Sequence, residues 1–222
     1  NERECFRVTI LQVDQLTKKI KGMPIIQDVS FKLDEGQIVG LVGANGAGKT
    51  TLMKVILGLS NYQDGSFEIR ANTNNKSNTG ALIESPGVYP FLTGYDNLKL
   101  LCESKDKNAI DDIVKKLKMD RYIHKKAKTY SLGMKQKLGI AIAFLNHPQL
   151  IVLDEPMNGL DPKAVRDVRE LIVETAKQGT TFLISSHILS ELVKITDSIL
   201  IIDEGKIIKQ TTREELNQED ED

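Results

Sequence analysis

The sequence predicts an α/β fold built around a mainly parallel β-sheet with helices on both of its faces. Three observations support this prediction: short apolar runs alternate with segments of helical periodicity, a glycine-rich loop joins one apolar run to a helical segment, and another apolar run ends in two adjacent carboxylates. The length of 222 residues is enough for one substantial core and short for two independent ones. In folds of this class, ligands bind at the carboxyl ends of the parallel strands.

Strands and helices are expected to alternate along most of the chain. Apolar and β-branched runs predict strands at 8–13, 25–33, 38–42, 67–70, 81–83, 150–153, 181–184, 198–202 and 206–210, the last two forming a hairpin around Gly205. Helical periodicity predicts helices at 51–59, 132–145 and 188–195, and a helix that begins at Pro162. Residues 93–145 are expected to form a helical lobe, with Ser131 capping its last helix. A turn is predicted at 63–66 and an exposed loop at 72–80.

Residues 43–50, Gly-Ala-Asn-Gly-Ala-Gly-Lys-Thr, match the phosphate-binding pattern G-x-x-x-x-G-K-[ST]. The glycines let successive backbone N–H groups surround nucleotide phosphates, and the following helix adds its positive end. Lys49 is expected to reach the β- and γ-phosphates, and Thr50 to ligate Mg²⁺. The residues expected to contact the nucleotide in this segment are Asn45, Gly46, Ala47, Gly48, Lys49, Thr50 and Thr51. The alternative is a glycine-rich turn before an ordinary helix, which the flanking strand and helix disfavour.

Three further candidates follow predicted strands. Asp154 and Glu155 end the run 150–153, and the carboxyl ends of parallel strands share one edge of a sheet. We therefore expect Asp154 to hold Mg²⁺ opposite Thr50, and Glu155 to orient or deprotonate an attacking water. A turn or helix-cap pair is the alternative for these carboxylates. His187 follows the strand that begins at Thr181 and is a candidate to hydrogen-bond the γ-phosphate, with a purely structural role as the alternative.

Composition narrows the classes of protein and partner. The 30 Lys and Arg residues balance 31 Asp and Glu residues, so the net charge of −1 gives no reason to expect a nucleic-acid partner. Cys5 and Cys102 have no metal-ligand spacing, which favours a reduced, cytosolic setting. No apolar run approaches the roughly 18 residues that span a bilayer, and no signal peptide is evident. Work at a membrane would therefore require other subunits. Residues 1–7, polar and without an initiator Met, are left out of the fold prediction.

On these motifs the chain resembles the nucleotide-binding subunits of ABC transporters over nearly all of residues 8–222. Residues 43–50 match the Walker A loop and 150–154 the Walker B strand, and Glu155 stands at the position of the catalytic glutamate. Residues 158–161 resemble the D-loop, and His187 resembles the switch histidine. Tyr-Ser-Leu-Gly-Met-Lys-Gln at 130–136 takes the place of the ABC signature.

Departures from the family pattern occur at three places. In the signature, Leu132 replaces the first glycine and Met134 the glutamine. Glu84 stands where the Q-loop glutamine is expected; its carboxylate can bind Mg²⁺ or water but adds negative charge beside phosphates. Ile20 falls where many members stack an aromatic ring on adenine, and an aliphatic side chain can still cover that ring.

The resemblance implies a P-loop NTPase of the ABC ATPase fold, a single domain over 1–222. Its core would comprise about 8–84 and 148–222, with an N-terminal antiparallel β-subdomain, and an inserted helical subdomain would span about 86–147. ATP and Mg²⁺ are the implied ligands. A second copy or a homologous ATPase is expected to form a head-to-tail dimer, in which Ser131, Gly133 and Asp161 contribute to nucleotide binding.

The resemblance also implies transmembrane permease subunits as partners and a place on the cytoplasmic face of the cell membrane. The signature at 130–136 together with Glu84 is similar to ATPases of the bacitracin-resistance and lantibiotic-immunity exporters, which implies export of a peptide antibiotic. One alternative is a regulatory or remodelling ABC protein that hydrolyses little ATP and has a non-membrane partner. A P-loop kinase is disfavoured because no acceptor-substrate site is evident.

Overall fold

The chain folds around two β-sheets. The computed structural model describes residues 8–70, 79–103 and 107–215, and the following bounds refer to them. The strands are β1 Thr9–Ile20, β2 Met23–Asp34, β3 Ile38–Val42, β4 Asp64–Ile69, β5 Thr79–Leu82, β6 Leu150–Leu153, β7 Thr181–Ser186, β8 Ser198–Asp203 and β9 Lys206–Thr212. The helices are α1 Lys49–Ile56, α2 Gly94–Leu101, α3 Lys107–Lys116, α4 Leu132–Phe144, α5 Pro162–Lys177 and α6 Leu189–Leu192, with a 3₁₀ turn at Ala127–Thr129.

The larger sheet is mainly parallel, as predicted. Its strand order is β5-β6-β7-β3-β8-β9, in which only β9 runs antiparallel to its neighbour. The smaller sheet, β2-β1-β4, is antiparallel and N-terminal. Strands β3, β6 and β7 are buried at every residue, which explains their continuous apolar sequences: a central parallel strand is covered on both faces.

Alternate residues of β3 contribute to two hydrophobic cores. Val39 and Leu41 pack with α1 and the antiparallel sheet. Ile38 and Val42 pack in the other core, together with residues of α2 to α5. This division follows from the two-residue period of a strand, which sends successive side chains to opposite faces.

The register of the parallel sheet brings the predicted site segments together. Val42 lies opposite Ser186 of β7, and Leu153 of β6 lies between Leu82 and Ile184. The segments that follow β3, β5, β6 and β7 therefore leave the sheet at the same edge. These segments contain the glycine-rich loop, Glu84, the acid pair and His187.

Several predicted boundaries differ from the structure. The turn predicted at 63–66 is wrong, because β4 begins at Asp64, which pairs with Thr17 of β1. The strand predicted at 8–13 extends to Ile20, and the helix predicted at 188–195 is the short α6. The loop predicted at 72–80 lies outside the described residues except for Thr79 and Gly80, which belong to β5.

In chain order, the helices α2, α3 and α4 come after β5 and before β6, and all three fall within the predicted helical lobe. Gly80 allows α4 to pack closely on β5, since a Cβ there would collide with the carbonyl oxygen of Ala143. The exact division into core and helical subdomains stays a prediction. Within residues 8–70, 79–103 and 107–215, no helix has both the length and the apolar character needed to cross a bilayer.

Candidate functional site

The glycine-rich loop connects β3 to α1 and curls around the side chain of Lys49. The lysine is 5% exposed, and its Nζ donates to the carbonyl oxygens of Gly43 at 2.6 Å and Ala44 at 3.2 Å. Gly48 has φ +109°, and a Cβ at this residue would lie 2.9 Å from the Ile25 carbonyl oxygen, so both backbone and space require glycine. Because α1 begins at Lys49, the unpaired N–H groups of its first turn lie in the loop.

A cavity of about 230 Å³ opens at this loop. Its lining residues are Ile25, Asn45, Gly46, Gly48, Lys49, Thr50, Thr51, Asp154 and Glu155. Most of the predicted nucleotide-contacting segment thus surrounds one cavity with the acid pair. Ala47 is an exception, since its side chain packs in the core beside α1.

Asp154 is held between two hydroxyl groups. Its Oδ2 accepts a hydrogen bond of 2.7 Å from Thr50 Oγ1, and its Oδ1 accepts one of 2.6 Å from Ser185 Oγ. The residue as a whole is 6% exposed. Thr50 and Asp154 therefore present hard oxygen donors side by side at the cavity, a donor set that suits Mg²⁺ when phosphate oxygens and water complete the shell. The geometry fits the predicted metal site.

Glu155 is anchored through both its backbone and its side chain. Its backbone N–H donates to Ser185 Oγ at 2.9 Å, and its φ of 47° lies in the left-handed region. Its Oε2 lies 2.9 Å from His187 Nδ1, which donates when the glutamate is ionised. Its Oε1 is 3.6 Å from Lys49 Nζ, an ion-pair separation too long for a hydrogen bond. This oxygen is buried and has no hydrogen-bond partner among the residues that the structure describes. One acceptor oxygen of Glu155 is therefore available within the site.

Glu84 lies in the segment after β5 and forms an ion pair with α1. Its Oε1 is 2.7 Å from Lys54 Nζ, one helical turn beyond Thr50. The two side chains are 61% and 33% exposed, respectively. Glu84 has φ 57° and is not one of the residues that line the cavity. The structure thus pairs the predicted metal-site carboxylate with a lysine that the sequence did not single out.

The signature segment lies next to the predicted D-loop. Ser131 caps α4 by accepting a hydrogen bond of 3.2 Å from the Met134 N–H. A Cβ at Gly133 would lie 2.9 Å from the carbonyl oxygen of Gly159, so glycine permits close contact between the two segments. Leu132 is 68% exposed. None of these residues lines the cavity of its own chain.

Asp161, the last residue of the predicted D-loop, caps the N-terminus of α5. Its carboxylate accepts hydrogen bonds from the backbone N–H groups of Ala164 at 2.9 Å and Lys163 at 3.0 Å. These amides, that of Ala164 first, stabilise the ionised form and lower the pKa of Asp161. Its side chain therefore has a structural role within its own chain.

Ile20 lies at the end of β1, next to the hairpin turn, and is 43% exposed. It pairs across the hairpin with Met23, which is 64% exposed. Ile25 on β2, rather than Ile20, is a lining residue of the cavity. The hairpin therefore reaches the cavity through Ile25, a residue that sequence reasoning missed, and Ile20 is not among the lining residues.

Sequence reasoning also missed two other residues at the acid pair. Ser185 bridges Asp154 and Glu155, and Gln136 of α4 donates to the carbonyl oxygens of Pro156 at 3.1 Å and Glu155 at 3.4 Å. The place of Ser185 two residues before His187 indicates a position near the acid pair, but it does not indicate which side chain Ser185 contacts. For Gln136, the only indication in the sequence of a role at the site is its position in the signature segment.

Together, the loop around a buried lysine, the adjacent hydroxyl and carboxylate, and the parallel sheet beneath them define a phosphate-loop nucleotide-binding protein. The family model for "ABC transporter" matches residues 26–158. The chain belongs to this family and is an ATP-binding ATPase subunit.

Three relatives agree with this assignment. An uncharacterised ABC transporter ATP-binding protein of Bacillus subtilis is 42% identical, covering 89% of this chain and 68% of the relative. The bacitracin transport ATP-binding protein of Enterococcus faecalis is 37% identical, with coverages of 94% and 71%. The lantibiotic transport ATP-binding protein of Streptococcus pyogenes is 39% identical, with coverages of 90% and 89%.

Solved structures share the fold. The ATP-binding subunit of an ABC transporter superposes with a TM-score of 0.85 at 29% identity, covering 96% of this chain and 94% of that one. A dimeric ATP-binding cassette in a post-hydrolysis state with ADP and Pi gives 0.83 at 21% identity, with coverages of 92% and 99%. At 21% identity, the similarity to this second structure supports the fold alone. The predicted ABC ATPase fold is therefore confirmed.

Proposed function

We propose that this chain binds and hydrolyses MgATP to power the export of a peptide antibiotic through separate membrane subunits. The observation that supports hydrolysis is the acid pair at the loop: Asp154 accepts a hydrogen bond of 2.7 Å from Thr50, and Glu155 beside it has a buried oxygen for which the described part of the chain provides no hydrogen-bond partner. The names of two relatives, a bacitracin and a lantibiotic transport ATP-binding protein, support the substrate class. This site is proposed to act at the cytoplasmic face of the membrane.

Binding would begin at the glycine-rich loop. The N–H groups at the start of α1 attract the phosphates, and Lys49 exchanges its hydrogen bonds to Gly43 and Ala44 for phosphate oxygens. Thr50 and Asp154 would hold Mg²⁺, which neutralises part of the phosphate charge when bound. Ile25 and the nearby end of the hairpin, with Ile20, would cover the adenine base.

Hydrolysis requires an oriented water molecule. The Oε1 atom of Glu155 would accept a hydrogen bond from the water, which attacks the γ-phosphorus as its proton moves to the carboxylate. His187 holds the other carboxylate oxygen at 2.9 Å and so fixes the direction of Oε1. The bond to the β-phosphate oxygen breaks, leaving ADP and inorganic phosphate.

A head-to-tail dimer accounts for the signature residues. Ser131 and Gly133 do not line the cavity of their own chain, although Ser131 lies at the N-terminal end of a 13-residue helix suited to an anion. We place them on the γ-phosphate bound to the other subunit, with Asp161 bordering the same interface. Closure of the dimer on ATP and its reopening after hydrolysis would drive the permease subunits.

Magnesium-dependent phosphate release by the purified chain tests the catalytic part. Glu155→Gln is expected to abolish turnover and to trap an ATP-bound dimer that size exclusion detects. The control is Glu170→Gln, at an exposed glutamate of α5 that pairs with Arg166. Turnover at the wild-type rate in Glu155→Gln would remove Glu155 from the role of base. ATP-dependent dimerisation without turnover by the wild type would favour an ATP-gated regulatory protein instead.

Resistance measurements test the transported substrate. The chain is co-expressed with its membrane subunits in a sensitive Gram-positive host, and the inhibitory concentrations of bacitracin and several lantibiotics are compared with those for Glu155→Gln. Protection that requires intact Glu155 is the expected result. Equal sensitivity with both proteins, despite ATP hydrolysis in vitro, would contradict peptide antibiotic export.

A further inference from the structure

Ser185 joins the two carboxylates of the acid pair from a neighbouring strand. It lies on β7, between the acid strand β6 and the loop strand β3, and is fully buried at 0% exposure. Its Oγ donates to Asp154 Oδ1 at 2.6 Å and accepts from the Glu155 N–H at 2.9 Å. A serine hydroxyl has a single proton to donate, and here that proton faces Asp154.

The first of these hydrogen bonds determines how Asp154 presents its oxygens. The terminal torsion of an aspartate side chain is broad, so a carboxylate held at one oxygen can rotate. Here Ser185 holds Oδ1 while Oδ2 lies 2.7 Å from Thr50 Oγ1. Rotation is thereby prevented, and Oδ2 stays directed toward the hydroxyl with which it would share Mg²⁺.

The second hydrogen bond fixes the backbone of Glu155. The φ of 47° at Glu155 is a backbone conformation that a residue with a Cβ atom adopts only at a cost in energy. Ser185 accepts from the N–H of this residue and so helps to hold the turn that carries the glutamate side chain toward the cavity. One hydroxyl thus couples the placement of the metal ligand to that of the base.

We propose that Ser185 is a positioning residue that sets the contribution of Mg²⁺ to nucleotide binding and aligns Glu155 for hydrolysis. The inference rests on the proposed MgATP-hydrolysing function. Ser185 itself is not one of the residues that line the cavity, so it would act through Asp154 and Glu155.

The next residue along β7 provides a matched control. Ser186 is also buried, at 2% exposure, and its hydroxyl likewise makes two hydrogen bonds. Its Oγ donates to Glu191 Oε2 at 3.0 Å and accepts from the Ile188 N–H at 3.0 Å, on the side away from the acid pair. Replacing either serine with alanine removes a similar pair of bonds, but only Ser185→Ala releases Asp154 and Glu155.

The experiment measures the dissociation constant of the purified chain for a fluorescent, non-hydrolysable ATP analogue, once with saturating Mg²⁺ and once with EDTA. The ratio of the two constants reports the contribution of the metal. Ser185→Ala is expected to lower this ratio by about tenfold, since a hydrogen bond to a charged group is lost, while affinity in EDTA changes less than about twofold. Ser186→Ala is expected to keep the wild-type ratio.

Two further variants separate positioning from folding. Ser185→Thr restores a hydroxyl and is expected to restore the ratio, whereas Ser185→Cys, similar in size but a weak donor, is expected to behave like alanine. Thermal unfolding without ligand verifies that each protein is folded. In the steady state, Ser185→Ala is also expected to lower kcat and to raise the Mg²⁺ concentration needed for half-maximal rate.

Three outcomes would overturn the proposal. A wild-type ratio in both Ser185→Ala and Ser185→Cys would show that Asp154 needs no help from Ser185. An equal loss in Ser185→Ala and Ser186→Ala would indicate a general effect on β7. Equal affinity of the wild-type protein for the analogue in Mg²⁺ and in EDTA would contradict the magnesium site itself, and with it the proposed function. The first two outcomes would leave the proposed function intact.

Discussion

Replacing Glu84 with glutamine and Lys54 with methionine, singly and together, separates the stability of their ion pair from its electrostatic effect on the nucleotide site. The charged atoms are 2.7 Å apart. In a dielectric of about 80, their attraction is about 1.5 kcal/mol, and the cost of ordering two side chains that are 61% and 33% exposed leaves a net stabilisation of about 0–1 kcal/mol. Each single variant should therefore lose at most about 1 kcal/mol, or about 2–4 °C in Tm.

Whether the rate of MgATP hydrolysis rises or falls is expected to depend on which of the two charges is removed. Glu84→Gln leaves an uncompensated positive charge beside α1, whereas Lys54→Met leaves an uncompensated negative charge that is free to approach the phosphates. The two variants are therefore expected to change the rate of MgATP hydrolysis in opposite directions, and the double variant to lie between them. The difference should shrink at high ionic strength, because the screening length falls from about 10 Å at 0.1 M salt to about 3 Å at 1 M.

The assay compares phosphate release and thermal unfolding of the four proteins at low and high salt. Changes in the same direction for both single variants would refute the electrostatic reasoning and indicate that the geometry of the contact is what matters. Wild-type turnover in all variants would show that Glu84 has no influence on the catalytic cycle. A loss of stability far above 1 kcal/mol would contradict the surface character of the pair.

Three further predictions concern the loop, the helical lobe and the D-loop. Lys49→Ala is expected to weaken nucleotide binding more than tenfold in a titration with an ATP analogue, and a smaller change, below about 1.4 kcal/mol, would argue against its phosphate contact. Gly80→Ala is expected to cost about 1–3 kcal/mol in urea unfolding because the added Cβ meets the Ala143 carbonyl oxygen, and wild-type stability would contradict this packing. Asp161 has a pKa lowered chiefly by the Ala164 amide, so its contribution to stability is present above the unfolded pKa of about 4 and is lost as pH falls through the folded value. Asp161→Asn should therefore reduce the loss of Tm between pH 7 and pH 3, and an unchanged acid profile would refute this assignment.

Sequence reasoning identified the parts of the site whose residues lie next to one another in short segments of the chain. The glycine-rich loop and the acid pair each follow an apolar run, and such runs predict buried parallel strands without further information. That both segments meet at one sheet edge follows from the direction of parallel strands alone. Accordingly, one cavity is lined by residues of both segments: Lys49, Thr50, Asp154 and Glu155.

Contacts between distant segments could not be predicted in this way. Ser185 meets Asp154 across 31 positions, and Lys54 meets Glu84 across 30, so each contact depends on strand order and register. Local propensity also failed where tertiary pairing prevailed. Asp64 and Gly65 have the composition of a turn, yet pairing with β1 makes them the start of β4.

The alternation of side chains along β3 has a consequence for how the protein unfolds. Val39 and Leu41 belong to one core and Ile38 and Val42 to the other, so loss of packing in either core removes contacts from a strand on which the other core also packs. The two halves are thus expected to melt in a single cooperative transition. Since the same strand leads into the nucleotide loop, ATP bound at its end would raise the melting temperature of both halves together.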